Sequence, residues 1–227
     1  MLYLVPTPIG NLRDITLRAL DILKSADLLL CEDTRRTQKL LAAHEIKKPL
    51  LSFHEHSGPA RLEEVMGYLR EGKTLALVSD GGMPLISDPG FELVHRAIQA
   101  GIRVEALPGP TAMVTALAVS GLATDSFGFF GFPPQKSAAR KKFFTGLESR
   151  GETLVFYESP YRLLKTLQDM KEAFGDREAV VARELTKKFE EFSRGSLTEL
   201  ITKFSGKKVR GEITVLVSGK GRKRVLQ

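Results

Sequence analysis

The stretch LALVSDGGMPLISDPGFELVHRAIQA, residues 75–100, decides how the chain is read. It begins with an apolar run, Leu75 to Val78, and ends in an amphipathic stretch that opens at Phe91. A short run without polar alternation reads as a strand covered on both faces, and apolar residues at a 3.6 spacing read as a helix with one buried side. Strand-to-helix connections are usually short, roughly two to six residues. This one carries two aspartates, three glycines, two prolines and two serines. A connection so rich in backbone-special residues either shapes a binding site or merely turns the chain.

Working outward, the same alternation recurs. Apolar runs at Leu2–Val5, Leu28–Cys31, Leu50–Phe53, Leu75–Ser79 and Val104–Leu107 are separated by helical patterns such as ITLRALDILKSA and PARLEEVMGYLREG. Runs of this kind predict a parallel sheet with helices on both faces and right-handed crossovers. After Gly121 the texture shifts to FGFFGFPPQKSAARKK, and a second alternation follows in TLVFYE, YRLLKTLQDMKEAF, AVVARE and EITVLVSG. The sequence therefore predicts an N-terminal α/β domain over 1–121, a smaller C-terminal α/β domain over 122–219 and a basic tail over 220–227.

Composition sets the bounds. The chain has 227 residues, 42% of them hydrophobic, enough for a substantial core. Its single cysteine, Cys31, excludes an intramolecular disulfide and reads as a buried small hydrophobe. No apolar window approaches the roughly twenty residues that a membrane span needs, and the N-terminus lacks a basic leader region. The expectation is a cytoplasmic protein with no membrane partner. Residues 1–130 hold 13 Lys+Arg against 15 Asp+Glu, a sum of −2, whereas residues 131–227 hold 21 against 12, a sum of +9. A basic half suits either a solvated surface or a polyanionic partner.

Ligands of open α/β sheets bind beyond the carboxyl ends of the strands. Several residues there read as helix caps: Asp33 or Thr34, Asp88 before Pro89, Thr111, and Ser159 before Pro160. Gly81 and Gly82 permit positive φ and let a ligand lie against bare backbone. Neither G-x-G-x-x-G nor the P-loop pattern occurs, so the nicotinamide and nucleoside-triphosphate readings lack their fingerprint. His54, Glu55 and His56 lack a convincing further ligand, so no metal site is assigned. Lys136, Arg140, Lys141 and Lys142 form either a solvated face or a phosphate contact. Arg35 and Arg36 follow the second strand, where arginine can fork onto phosphate.

Taken in order, LYLVPTPIGNLRDITLRAL, EDTRRT, SFHEH, SDGGMPLISDPG, LPGPTA, FYESPYRL, VARELTK and RGEITVL resemble the tetrapyrrole methylases over nearly the whole chain up to Gly219. Within that family the resemblance is to the branch that methylates a cytidine 2′-hydroxyl in small-subunit ribosomal RNA. It implies a two-domain α/β enzyme, usually a homodimer, that binds S-adenosylmethionine in a cleft between its domains. By that resemblance Pro8 to Gly10 lie at the mouth of the cleft. Gly81, Gly82 and Met83 line the methionine end of the cofactor, with Ile86 and Ser87 nearby, and Thr111 and Ala112 contact it. Tyr157, Ala182 and Ile213 wall the adenosine.

Three departures stand out. The family commonly has Ala-Gly-Thr-Pro-Gly where this chain has Gly81-Gly82-Met83-Pro84-Leu85, and alanine where it has Pro6. Longer members also carry a further C-terminal helical segment.

Methyl transfer from a sulfonium needs nucleophile, methyl carbon and sulfur held nearly collinear, so positioning carries much of the catalysis. A ribose hydroxyl also benefits from a general base. Asp80, Glu158, Glu184, Lys187 and His54 are candidates, and Glu184 with Lys187 is the favoured catalytic pair. Arg35, Arg36, Arg162 and Arg183 are the expected RNA contacts, to naked small-subunit RNA or to the assembled subunit. The competing readings are a methyltransferase for a tetrapyrrole or other small molecule, and a non-catalytic RNA-binding module with a vestigial pocket.

Overall fold

The computed structural model describes residues 1–221 and divides into two compact units, Met1–Thr111 and the remainder from Ala112. The expected basic tail falls largely on residues 222–227, outside the described residues.

The first unit alternates strand and helix throughout. Its elements are β1 (Leu2–Val5), α1 (Leu17–Ser25), β2 (Leu28–Cys31), α2 (Thr34–Ala43), β3 (Leu50–Ser52), α3 (Pro59–Arg70), β4 (Leu75–Val78), α4 (Phe91–Gln99) and β5 (Val104–Ala106). The strands form one parallel sheet in the order β3-β2-β4-β1-β5. Side chains alternate across a strand, and here both faces are apolar. Leu2, Leu4, Leu30, Leu75 and Leu77 pack with Leu62, Val65, Met66 and Leu69 of α3 and Leu93 and Ala97 of α4. Val5, Leu29, Cys31, Ala76 and Val78 pack on the other side with Ala19 and Leu23 of α1 and Leu41 of α2. The unbroken apolar run of β4 is thus explained, since all four of its residues are buried. Cys31 is fully buried, and that burial pushes its thiol pKa up.

The second unit contains α5 (Ala112–Ala118), β6 (Phe127–Phe129), α6 (Ser137–Thr145), β7 (Thr153–Glu158), α7 (Leu163–Phe174), β8 (Glu178–Arg183), β9 (Glu191–Ser196), α8 (Leu197–Phe204) and β10 (Ile213–Val217). Its sheet runs β6-β7-β10-β8-β9. β6 lies parallel to β7, and the remaining pairs are antiparallel. One face packs Leu154, Phe156, Val181, Ile213 and Val215 against Phe144, Leu167, Met170 and Leu200 of α6, α7 and α8. Ala116 and Leu117 of α5 lie outside that cluster while α5 packs on β7 and β10, so α5 covers the other face.

Two expectations need adjusting. The units meet at Thr111/Ala112 rather than near Gly121, because α5 packs on the second sheet. The second sheet, expected in the smaller domain, has five strands like the first.

An ion pair buried in the second unit fixes the loop after β6. Arg140 Nη2 lies 2.6 Å from Asp169 Oδ2, with side chains only 3% and 9% exposed. The same guanidinium donates to the Gln135 carbonyl at 3.0 Å, which ties the loop to α6 and α7. The basic cluster read from KSAARKK thus splits, Arg140 facing inward while Lys136 is exposed. Removing one partner of a buried pair strands the other charge, at about 3–5 kcal/mol. Asp169→Ala is expected to lower unfolding free energy by about that amount, measured by urea denaturation followed by circular dichroism.

Candidate cofactor and catalytic site

The loops that leave β1 and β4 in the first unit are tied together. Thr7 and Gly82 exchange both backbone hydrogen bonds, Thr7 N to Gly82 O at 3.0 Å and Gly82 N to Thr7 O at 2.8 Å. The Thr7 hydroxyl donates to the Ser79 carbonyl at 3.0 Å, and the Ser79 hydroxyl donates to Gly82 O at 3.0 Å. Gly82 sits at φ +98°, a region that disfavours any Cβ. It is buried with its amide and carbonyl both engaged, so it turns the chain, and the exposed Gly81 is the glycine left facing outward. A Cβ on Gly81 would come within 3.3 Å of the Pro8 carbonyl, a tight contact that a shift of a few tenths of an ångström would relieve. The loop after β5 closes in as well: a Cβ on Gly109 would lie 2.7 Å from Pro6 Cβ, which accounts for how this chain accommodates proline at position 6.

The second half of the long connection departs from its reading as a capped helix start. α4 begins at Phe91 with Gly90 as its cap, so Asp88 is not the N-cap. Gly90 sits at φ +126°, and a Cβ there would lie 2.7 Å from Leu77 Cδ2, a fit open only to glycine. Asp88 instead turns toward Ser79, Glu32 and Asp80. Burial first, and then the Glu32 carboxylate, push it up to about 6, a hydrogen bond with Ser79 opposes the shift, and Asp80 adds to it. Glu32 is raised too, by burial and then by Asp80, against the pull of His54 and Arg36.

Beside these acids, Asp80 accepts from the Asp33 amide at 3.2 Å and pairs with Arg36 at 3.4 Å. Asp33 is the cap of α2, and its bidentate contact with Arg35 holds its pKa to about 2. Arg35, Arg36, Gln38 and Lys39 line an open depression on this helix. His54 donates its amide to Ser57, and among the described residues no three His, Cys, Asp or Glu side chains come together to hold a metal.

In the second unit the favoured pair is found together. Lys187 Nζ lies 3.0 Å from Glu184 Oε1 and 2.9 Å from Glu212 Oε2, and the Glu212 amide donates to Glu184 Oε1 at 2.9 Å. Glu184 takes φ +53°, and its carboxyl lies where a Cβ on Gly211 would stand. Burial works to raise the Glu184 pKa, but the Glu212 amide and Lys187 outweigh it and leave the pKa below the usual range. Burial likewise opposes the Lys187 charge, while Glu212 and Glu184 raise its pKa. Both groups are therefore held ionised. Glu212 and Gly211 were not singled out as site residues, although RGEITVL was among the decisive motifs.

Glu158 serves structure. It is buried, accepts from the Ser159 amide and the Thr166 hydroxyl, and pairs with Arg162 at 2.7 Å. Arg162, not Ser159, occupies the cap position of α7. Arg183 pairs with Glu191 at 3.0 Å. All four arginines chosen as RNA contacts thus carry intramolecular partners.

The predicted adenosine wall divides by register. Thr214 is paired with both Tyr157 and Ala182, so these three share one face of the sheet. Ile213, one residue out of phase, points to the opposite face and packs in the core beneath α7 and α8. Thr214 is the β10 residue on the face of Tyr157 and Ala182. Pro8 is buried, Gly10 and Ser87 are exposed, and Met83 and Ile86 are half-buried, all in the first unit. Thr111 ends that unit, and Ala112 opens α5.

Two α/β sheets with these loops define a class of enzyme. The chain belongs to the tetrapyrrole (corrin/porphyrin) methylases, whose family model matches residues 1–201. Within that class it groups with the ribosomal RNA small subunit methyltransferases I. It is 51% identical to that protein of Thermotoga maritima across 96% of this chain and 98% of the relative. To its counterpart in Bacillus subtilis it is 48% identical across 99% of this chain and 77% of the relative.

Solved structures agree on the fold. The cobalt precorrin-4 methyltransferase CbiF superposes with a TM-score of 0.72 at 21% identity, covering 96% of this chain and 94% of that one. The uroporphyrin-III C-methyl transferase of Thermus thermophilus, complexed with S-adenyl homocysteine, gives 0.67 at 19% identity, covering 96% and 97%.

A raised acid pKa means that ionisation costs stability in the folded state, so the sign for Asp88 is fixed. Below its ordinary 3.8 the group is neutral in both states, and the cost grows as pH rises toward about 6. Asp88→Asn is therefore expected to leave Tm nearly unchanged near pH 4 and to raise it to a constant increment above about pH 6, measured by thermal denaturation across that range.

Proposed function

We propose that this chain is an S-adenosylmethionine-dependent methyltransferase that methylates the ribose 2′-hydroxyl of a cytidine in small-subunit ribosomal RNA. The observation that carries this reading is the 51% identity to the Thermotoga maritima enzyme along 98% of that enzyme's length. The tetrapyrrole methyltransferases share the fold at identities of only 19–24%, so a tetrapyrrole substrate has no comparable support. The assembled small subunit in the cytoplasm is the proposed place of action, with a homodimer as the active form. No helix among the described residues is long and apolar enough to cross a membrane.

The residues present suit the cofactor. Gly81 leaves the backbone of the β4 loop exposed, and the half-buried Tyr157, on the sheet face it shares with the buried Ala182 and Thr214, offers an aromatic surface. Gly81, Met83, Ile86 and Ser87 would hold the methionine end together with Pro8, Gly10, Thr111 and Ala112. Bound there, S-adenosylmethionine supplies an electrophilic methyl group. Gly82 keeps the loop in shape through Thr7 and leaves no side-chain nucleophile beside the sulfonium.

Glu184 and Lys187 divide the proton work by their charge states. An ionised Glu184 is the acceptor for the 2′-hydroxyl proton, and a protonated Lys187 stabilises the oxyanion that develops. The lowered carboxylate and raised ammonium predict turnover that stays level through neutral pH and declines only when Glu184 protonates, below the ordinary carboxylate range. Arg35, Arg36, Arg162 and Arg183 serve the RNA backbone; Arg35, Arg36 and Arg183 exchange their present carboxylate partners for phosphate, whereas Arg162 meets it while still paired with the buried Glu158.

Incubating the protein with methyl-labelled cofactor and small subunits from cells lacking the modification tests the reaction. Label is expected on a cytidine ribose, and transfer to a tetrapyrrole alone would overturn the assignment. Glu184→Gln keeps an acceptor oxygen for the Glu212 amide. It is expected to reduce kcat by about a hundredfold or more while calorimetry shows S-adenosylhomocysteine binding unchanged.

A further inference from the structure

Three of the large apolar side chains left in solvent by the second unit gather at one end of its sheet. β6 runs parallel to β7, and β10 lies antiparallel to both β7 and β8, so β8 points the same way as β7. The loops that follow β6, β7 and β8 therefore leave from the same end. Phe132 lies in the first, 55% exposed, Tyr161 in the second, 89% exposed, and Phe189 in the third, 65% exposed. Neighbouring strands lie about 5 Å apart, and only β10 separates β7 from β8. The aromatics are thus rooted in a row.

The backbone that carries each of them is hydrogen-bonded. Gly131, just before Phe132, accepts from the Tyr157 amide at 2.9 Å, and the buried Arg140 holds the Gln135 carbonyl on the far side of the two prolines. The Phe132 ring stands 5.7 Å from that of Tyr157. The Tyr161 amide donates to the Ser159 hydroxyl, and Phe189 sits in a turn closed by Glu190 N to Lys187 O at 3.1 Å.

Exposed cations accompany them. Lys136, Lys188 and Arg210 stand in or beside these loops, and none makes an ion pair among the described residues, unlike the arginines discussed above. Lys188 Nζ lies 5.7 Å from the centre of the Phe189 ring.

Burying an aromatic is favourable, so three rings held in water on hydrogen-bonded loops call for an occupant with flat apolar faces. The unpaired cations call for that occupant to carry negative charge at short intervals. We propose that this end of the second sheet is a stacking platform for single-stranded RNA, in which Phe132, Tyr161 and Phe189 each receive a base and the neighbouring cations meet the intervening phosphates. A duplex keeps its base faces covered and does not satisfy the rings. The proposal rests on the RNA reading of the function and names the surface that holds the substrate strand outside the reacting nucleotide.

The test is binding of a fluorescently labelled single-stranded RNA dodecamer to the full-length protein by anisotropy. Phe132→Ala, Tyr161→Ala and Phe189→Ala are each expected to weaken binding by about fivefold or more, the lower end for a stacked base. The slope of log affinity against log salt should stay unchanged in these variants, and tryptophan at each position should restore binding where leucine does not. Replacing Lys136, Lys188 and Arg210 together with alanine should flatten the salt slope by about 2, at about 0.7 per phosphate contact.

Unchanged affinity in the aromatic variants, equal rescue by leucine, or a duplex bound as tightly as the single strand would overturn the proposal. So would a loss of S-adenosylhomocysteine binding in the triple aromatic variant, which assigns the rings to the cofactor. A change in its sedimentation mass assigns them to a second copy and likewise overturns it. Methylation of small subunits by the wild type separates the two levels. An inactive wild type whose binding still depends on the three rings removes the reaction and leaves the platform. An active wild type indifferent to their loss removes the platform alone.

Discussion

The paired hydrogen bonds between Thr7 and Gly82 are the constraint on which the first unit's loop end depends. They join two connections that lie more than seventy residues apart in sequence, and the Thr7 and Ser79 hydroxyls close the remaining backbone groups around them. Loops at strand ends ordinarily carry backbone groups that only water satisfies. Here they satisfy one another, so the loop that would face the cofactor is held without a large side chain. Rigidity of that kind is what a reaction governed by alignment requires.

A comparable economy operates in the second unit around Gly211. Its missing side chain makes room for the Glu184 carboxyl, whose oxygen then takes the Glu212 amide while Lys187 spans both acids. One glycine, one lysine and two glutamates thereby fasten the end of β8 to the start of β10. The same contacts keep Glu184 and Lys187 charged, so the geometry that stabilises the sheet end also sets the protonation states proposed for the reaction.

Much of the first unit was legible because its three interior strands, β2, β4 and β1, are mostly buried, and burial of that sort writes itself as nearly uninterrupted apolar residues. The second was harder. β6 is three residues with a central glycine at a sheet edge, and β9, EFSRGS, is an edge strand with polar residues throughout, so neither shows an apolar run. Asp88-Pro89 looked like a helix start because that dipeptide usually is one, but Gly90 takes the cap position and Asp88 faces other acids. That the Ile213 side chain faces the core, opposite Tyr157 and Ala182, is not revealed by a list of motif residues but follows from a strand's two-residue period. Glu184 and Lys187 were found together, whereas the part played by Gly211 depends on a contact between segments far apart in the chain.

The position of β1 has a consequence for how the protein is made. β1 leaves the ribosome before either of its neighbours, yet it lies between β4 and β5, paired on one edge by Leu75–Val78 and on the other by Val104–Ala106. Until synthesis has passed Ala106 the N-terminal strand has at most one of its two neighbours. The residues from β1 to β5 must therefore be made before β1 can become an interior strand, and contacts of such long sequence separation form slowly. Nascent chains of this protein should thus carry exposed, strand-forming leucines during much of their translation, which makes the early segment a natural client for chaperones at the exit tunnel.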